Sequence, residues 1–220
     1  MLLSMNVIEL FSSIDGEGKR QGFLTTFLRL HDCNIRCSYC DTLYSYGPES
    51  TFESMSVQAV ADAIEQLENH RITITGGEPL LQEPAIIELI DELTRRNARY
   101  DFNIETNGTI IPSFHRDNVW FTYDYKMPSS LAEDTMNLDI FKVATPADII
   151  KFVVGSMQDL DRMDEILKTY PTEAQVFVSP VWGNIEGATI VDYMKAHDWQ
   201  NVRFQLQIHK FIWDPDAKGV

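Results

Sequence analysis

Phe23-Leu24-Thr25-Thr26-Phe27-Leu28-Arg29-Leu30 runs directly into His31-Asp32-Cys33-Asn34-Ile35-Arg36-Cys37-Ser38-Tyr39-Cys40. The first octet is rich in β-branched and aromatic residues and predicts a strand; the polar, cysteine-rich decapeptide predicts a loop at that strand's C-terminal end. The same alternation continues downstream. Ser56 is placed to cap a helix with Val57, Val60, Ala61, Ile64 and Leu67 along one face, and Ile72-Thr73-Ile74-Thr75 predicts a second strand, stopped by Gly76-Gly77. Pro84 suits the first turn of a helix striped by Ile86, Ile87, Ile90 and Leu93. Further strands are expected over 102–105, 119–123, 150–154, 175–178 and 203–208, with helices around 160–170 and 189–196. Strands alternating with helices imply parallel βα units joined by right-handed crossovers. The chain is short of the roughly 250 residues that a closed eight-unit barrel takes. The expected fold is therefore α/β, a partial, open βα barrel of about six mostly parallel strands, forming a single domain over residues 1–220. Ligands of such sheets gather at the C-terminal ends of the strands, where Cys33 to Cys40, Gly76-Gly77, Glu105-Thr106-Asn107-Gly108 and Ser179-Pro180 are expected.

A hydrophobic content of 44% and a charged content of 23% are ordinary for a globular domain and exclude a disordered chain. No apolar run is long enough to span a membrane, and Met1-Leu2-Leu3-Ser4-Met5-Asn6 has no positive region before its short apolar stretch, so no secretory signal is expected. With 33 Asp+Glu against 18 Lys+Arg, the net charge of −15 disfavours a nucleic-acid partner, whose phosphates are met by cationic contacts. There is no internal repeat or low-complexity tract.

The three cysteines, Cys33, Cys37 and Cys40, all fall within eight residues. An odd number so closely spaced makes no disulfide framework. The C-x3-C-x2-C spacing offers three thiolates to three irons of a [4Fe–4S] cluster and leaves the fourth iron open. Zinc is the alternative, with His31 completing a Cys3His set, although structural zinc normally draws on two separated ligand pairs.

Cys33-x3-Cys37-x-Tyr39-Cys40, with an aromatic before the last cysteine, resembles the motif of the radical S-adenosylmethionine (SAM) superfamily, and Gly76-Gly77-Glu78-Pro79 resembles its glycine-rich motif. Within that superfamily the chain, from about Phe11 to Val220, resembles the 7-carboxy-7-deazaguanine synthases. Ile14-Asp15-Gly16-Glu17-Gly18, Arg29 before the first cysteine, Cys40-Asp41-Thr42, Thr75-Gly76-Gly77-Glu78-Pro79, Glu105-Thr106-Asn107-Gly108 and Gln207-Ile208-His209-Lys210 carry the likeness. It implies substrate contacts from Ile14, Asp15, Gly16, Glu17, Arg29, Thr75 and His209. SAM contacts are implied for Tyr39, Gly77, Glu78, Glu105, Asp124, Lys126 and Ser179, with the three cysteines holding the catalytic cluster and the Thr42 hydroxyl ligating Mg2+. Two positions depart from the family pattern. Asp15 stands where the family has Gln, and Asp124-Tyr125 replaces Ser-Pro before Lys126, so Asp124 is expected to replace the Ser as acceptor for a ribose hydroxyl.

The implied reaction converts 6-carboxy-5,6,7,8-tetrahydropterin into 7-carboxy-7-deazaguanine and releases ammonia. A 5′-deoxyadenosyl radical removes the C6 hydrogen, the ring contracts, and the hydrogen returns so that SAM is regenerated. The resemblance further implies a homodimer, a flavodoxin or ferredoxin as electron donor, no membrane partner, and the reducing cytoplasm that an exposed iron requires. Plainer readings stand beside each residue. Arg29 would pair with Asp32 at the surface, Thr42 would cap a turn, Glu17 would be a solvated loop carboxylate, and His31 and His209 would be structural. Phe11, Tyr44, Trp213 and the Trp182-Gly183 turn read as packing and pocket wall. Two other functions use similar cysteines: a radical SAM activase of a glycyl radical enzyme, and a non-enzymatic cysteine-rich metal-binding module.

Overall fold

The computed structural model describes residues 3–215 and 217–220. Its strands are β1 (Ser4–Ile14), β2 (Leu24–Leu30), β3 (Glu53–Ser56), β4 (Arg71–Gly76), β5 (Asp101–Thr106), β6 (Val119–Tyr125), β7 (Ile149–Val154), β8 (Gln175–Pro180) and β9 (Val202–Phe204). Its α-helices are α1 (Val57–Gln66), α2 (Glu83–Arg96), α3 (Ile140–Val143), α4 (Met157–Thr169), α5 (Gly187–Ala196) and α6 (His209–Ile212). All nine strands lie in one open sheet, ordered β3-β1-β2-β4-β5-β6-β7-β8-β9. From β2 onward the seven strands run parallel, whereas β1 pairs antiparallel with both β2 and β3. The expected partial barrel is present, with one more parallel strand than about six. The antiparallel edge formed by β1 and β3 was not expected. β3 is four residues long and pairs only with Ser4–Val7, too short to register as a periodic run.

Parallel strands packed on both faces are normally apolar throughout. Here they alternate instead. Ile72, Ile74, Phe102, Ile104, Phe121, Tyr123, Ile150, Phe152 and Val154 face the helices and form the core. Their neighbours Thr75, Glu105, Thr122, Asp124, Lys151 and Val153 face the concave interior and line a cavity. The alternation follows from the two-residue side-chain period of a strand and marks an interior built for a ligand rather than for packing.

The helices form where their caps and stripes predict. The Ser56 hydroxyl accepts a hydrogen bond from Ala59 N at 3.2 Å, and Val57, Val60, Ala61 and Ile64 of α1 are buried. Such a cap contributes about 1 kcal/mol. In α2 the buried stripe is Ala85, Ile86, Leu89, Ile90 and Leu93, so Leu89 rather than Ile87 faces the sheet.

The last strand differs from expectation. β9 stops at Phe204 because the next residue turns toward the β1–β2 connection. Gln205 N still donates to Val178 O at 2.9 Å, but the Gln205 side chain brackets Gly18, accepting from its N–H at 2.7 Å and donating to its carbonyl at 2.9 Å. Ile208 N then donates to Gly16 O at 3.1 Å. His209 consequently opens α6 instead of following directly on a strand, and that helix ends at Ile212.

Candidate active site

The cysteine loop is docked on both sides by hydrogen bonds to neighbouring segments. Gly77 N donates to Leu30 O at 3.1 Å and Glu78 N to Asp32 O at 2.7 Å, so the glycine motif lies directly against the start of the loop. A Cβ on Gly77 would overlap the Asp32 carbonyl; Gly76, at φ +138°, lies in the region favouring glycine, where a Cβ would overlap Leu30 O. On the other side, Ser38 N donates to Ser130 O at 2.9 Å, Ser38 Oγ to Ser129 O at 2.6 Å, and Tyr39 OH to Val153 O at 3.2 Å. Ser129 is itself gripped by the fully buried Asp159, which accepts from Ser129 N at 3.0 Å, from Ser129 Oγ, and from Gly155 N at 2.6 Å.

The three half-buried thiols open into one cavity of about 600 Å3. Burial raises the Cys33 thiol above its ordinary range and pushes Cys37 up to about 11, with Lys126 opposing the rise at Cys37. Three cysteine sulfurs lining one cavity beside a lysine are the soft donor set that an iron–sulfur or zinc centre takes as thiolates. Asn107 Nδ2 lies 3.8 Å from Cys33 Sγ and 2.8 Å from Asn34 Oδ1, an amide donor aimed at a ligating sulfur. His31, the fourth ligand that the zinc alternative needs, is not part of the cavity wall; its ring is tilted against Phe52, with centroids 4.3 Å apart.

The opposite end of the cavity is reached from the other end of the strands. The turn after β1 crosses beneath the sheet's interior. Arg20 donates to Ile72 O at 3.1 Å and pairs with Asp101, the first residue of β5, at 2.7 Å, while Lys19 donates to Ala147 O at 2.8 Å. This places Asp15, Gly16 and Glu17 on the cavity floor. Asp15 Oδ2 accepts from Thr73 Oγ1 at 3.2 Å, and burial pushes the Asp15 carboxyl up to about 6. A Cβ on Gly16 would overlap the His209 ring, so His209 is seated against the turn it was expected to accompany.

Along the interior face, Lys126 pairs with Asp124 at 3.0 Å, and Lys151 with Glu17 at 3.1 Å and Asp124 at 3.5 Å. Burial works against ionisation of Asp124, but the two lysines hold it below the usual carboxylate range. Glu105 accepts from Thr75 Oγ1 at 3.2 Å; burial pushes it up to about 7 despite the opposing Lys151. Arg29 does not pair with Asp32. Its Nε donates to Glu9 at 2.6 Å, and Tyr44 OH donates to the same Glu9 oxygen at 2.8 Å. Thr42 Oγ1 lies 3.7 Å from Cys40 Sγ.

The cavity wall thus gathers Ile14, Asp15, Gly16, Glu17, Arg29, Cys33, Cys37, Tyr39, Cys40, Thr42, Thr75, Gly77, Glu105, Asp124, Lys126 and His209, together with Phe11, Tyr44 and Trp182. Two residues expected to contact SAM have side chains outside the cavity wall. Glu78 is fully buried behind the wall, where it accepts from Leu80 N at 2.9 Å, Asn107 N at 2.7 Å and Thr106 Oγ1 at 2.9 Å, so it holds the 106–107 segment in place. Ser179, also fully buried, is outside the wall too, its hydroxyl enclosed between strands. Lys151 and Asn107 were not singled out by sequence reading. Lys151 had a signal, a lone charge within the apolar run Ile149-Ile150-Lys151-Phe152-Val153-Val154. Asn107 had none beyond its place in a strand-end segment.

Residues 29–119 match the Radical SAM superfamily. The chain is 37% identical over 223 residues to the 7-carboxy-7-deazaguanine synthase of Clostridium acetobutylicum, covering 99% of this chain and 100% of that protein. It is 36% identical over 214 residues to the 7-carboxy-7-deazaguanine synthase of Methanospirillum hungatei JF-1, covering 96% and 86% respectively. The fold is similar to the crystal structure of QueE from Escherichia coli, with a TM-score of 0.70 at 22% identity over 92% of this chain and 93% of that one. With a cysteine loop, a glycine motif and an end-to-end relationship of this strength, the chain belongs to the 7-carboxy-7-deazaguanine synthase family of radical SAM enzymes.

Proposed function

We propose that the protein converts 6-carboxy-5,6,7,8-tetrahydropterin into 7-carboxy-7-deazaguanine with release of ammonia, in 7-deazapurine and queuosine biosynthesis. The observation that carries this reading is a single cavity with three thiols at one end and an acidic, lysine-threaded floor at the other, in a chain related along its whole length to proteins named for the product. When bound, the [4Fe–4S] cluster and SAM supply hydrogen-atom abstraction; the rest falls to the chain.

Cys33, Cys37 and Cys40 would hold the [4Fe–4S] cluster, and the Asn107 amide donates toward the Cys33 sulfur, an interaction of the kind that tunes a cluster's potential. The bare backbone at Gly76-Gly77 admits the amino-acid end of SAM, while Glu105, Asp124 and Lys126 meet its ribose and charged groups, with Tyr39 as wall. Arg29, fixed by Glu9, presents planar donors to the substrate carboxylate. Ile14, Asp15, Gly16, Glu17, Thr75 and His209 enclose the pterin and exclude water. The Thr42 hydroxyl is a hard oxygen ligand of the type Mg2+ takes. A flavodoxin or ferredoxin donor, a homodimer and a cytoplasmic location complete the proposal; exposed Phe211 and Ile212 on α6 are apolar surface of the kind a subunit contact covers.

The test is anaerobic reconstitution with iron and sulfide, followed by incubation with SAM, dithionite, Mg2+ and 6-carboxytetrahydropterin. Mass spectrometry is expected to find 7-carboxy-7-deazaguanine, and Cys37→Ala to abolish both it and 5′-deoxyadenosine formation. SAM cleavage without the deazapurine would sink the substrate assignment and favour an activase.

A further inference from the structure

Lys151 sits in the middle of β7 with only 8% of its side chain exposed. A buried ammonium is retained only when partners compensate its lost hydration. Its partners come from two distant parts of the chain. Glu17 Oε2, 3.1 Å away, belongs to the floor turn that enters beneath the sheet, and Asp124 Oδ2, 3.5 Å away, belongs to the neighbouring strand β6, directly opposite in register.

Each carboxylate gives the lysine one oxygen. The other oxygens, Glu17 Oε1 and Asp124 Oδ1, are buried and, among the described residues, accept no hydrogen bond. Both residues line the cavity. A buried acceptor without a donor is unfavourable, and because both oxygens are enclosed behind the surface of one cavity wall, a ligand donor reaches either one only as its side chain turns about the lysine. Lys126 also grips Asp124, but among the described residues the ion pairs of Glu17 lead only to Lys151. The lysine is therefore the one group that fixes both acceptors at once, held protonated by Glu17, Asp124 and Glu105 around it.

We propose that Lys151 is a positioning residue that holds the carboxylates of Glu17 and Asp124 in the cavity wall for two different ligands, Glu17 for an N–H of the pterin and Asp124 for a ribose hydroxyl of SAM, and so couples the binding of one to the other. This rests on the proposed function, which supplies the two ligands. Coupling of this kind is reciprocal: each ligand tightens the other by the same factor.

The experiment uses reconstituted, oxidised enzyme without reductant, so that nothing turns over. SAM is titrated calorimetrically with and without 6-carboxytetrahydropterin, and the pterin with and without SAM. In the parent enzyme each ligand is expected to tighten the other about tenfold. Lys151→Met is expected to weaken both and to bring that factor to one, with iron content and visible spectrum unchanged; Lys151→Arg is expected to restore part of it. Unchanged affinities in Lys151→Met, or loss of one ligand with the coupling intact, would overturn the proposal. If Lys151→Met does not fold, Glu17→Gln and Asp124→Asn take its place: each is expected to weaken its own ligand and reduce the coupling, and independent, uncoupled losses would refute it. A parent enzyme that binds SAM but not the pterin would instead refute the proposed function.

Discussion

The two ends of the cavity are built by different means. At the cysteine end, one short loop is held onto main-chain carbonyls and amides of distant segments: Gly77 and Glu78 donate to Leu30 and Asp32, and Ser38 and Tyr39 are pinned to carbonyls of Ser129, Ser130 and Val153. At the floor, charged side chains do the holding, across separations such as Glu17 to Lys151 and Gly18 to Gln205. The first arrangement makes a rigid socket that tolerates side-chain change poorly at only a few atoms. The second makes an electrostatic surface whose shape depends on charge balance and on segments that meet only in the finished fold.

Substitutions at the two ends are therefore expected to separate cluster retention from ligand binding. The largest effect is expected at the floor, from Gly16→Ala, whose methyl would displace His209. A misplacement of this size is expected to cost roughly 10²-fold in kcat/KM for the pterin while iron content stays at the parent level. Steady-state kinetics beside iron analysis reads both quantities, and loss of iron would erase the distinction between the two ends.

Next in size is Asp159→Asn at the cysteine end. One amide group then faces donors that the carboxylate accepted, loosening Ser129 and with it Ser38. A destabilisation of about 1–3 kcal/mol is expected from the mismatched buried group. The telling readout is release of iron to a chelator, which is expected to quicken, while pterin affinity remains the same. An unchanged release rate would mean that the loop does not depend on this support.

A third effect concerns pH and is graded rather than abrupt. The Glu105 carboxyl is raised by burial from 4.5 to about 7, so between those values the folded protein keeps a proton that the unfolded chain has lost. Stability contributed by that difference is present below about pH 4.5 and is lost as pH rises through 7, an effect on the order of 3 kcal/mol at most. Thermal melts of the metal-free protein from pH 5 to 8 are expected to show a downward slope that Glu105→Gln flattens. Asp15, raised to about 6, keeps a shallower slope in the variant.

The same contrast explains how much could be read in advance. The cysteine loop, the glycine motif and the seven parallel strands rest on local spacing and periodicity, and they form nearly where the residues predict. The orientation of Glu78 was not legible because a motif names a residue without saying which way it points; its oxygens turn back onto Thr106 and Asn107. The Ser179 side chain likewise lies outside the cavity wall. Lys151 was overlooked because its meaning depends on Glu17, which lies far away in sequence and enters from the opposite end of the strands. The length of β9 was overestimated because the apolar pattern continues through Ile208, while the competing partner of Gln205 is Gly18.

The clasp between Gln205 and Gly18 also fixes an order of events during synthesis. All three cysteines and the glycine motif that docks beside them are translated within the first 80 residues, but the floor turn lacks its clasp until Gln205 has emerged. At about 5–20 residues per second the ribosome needs on the order of ten seconds or more to cover that interval. During it the nascent protein carries its thiols without the bracket that secures the far end of the cavity, so the sulfur-bearing end is translated well before the opposite end can close.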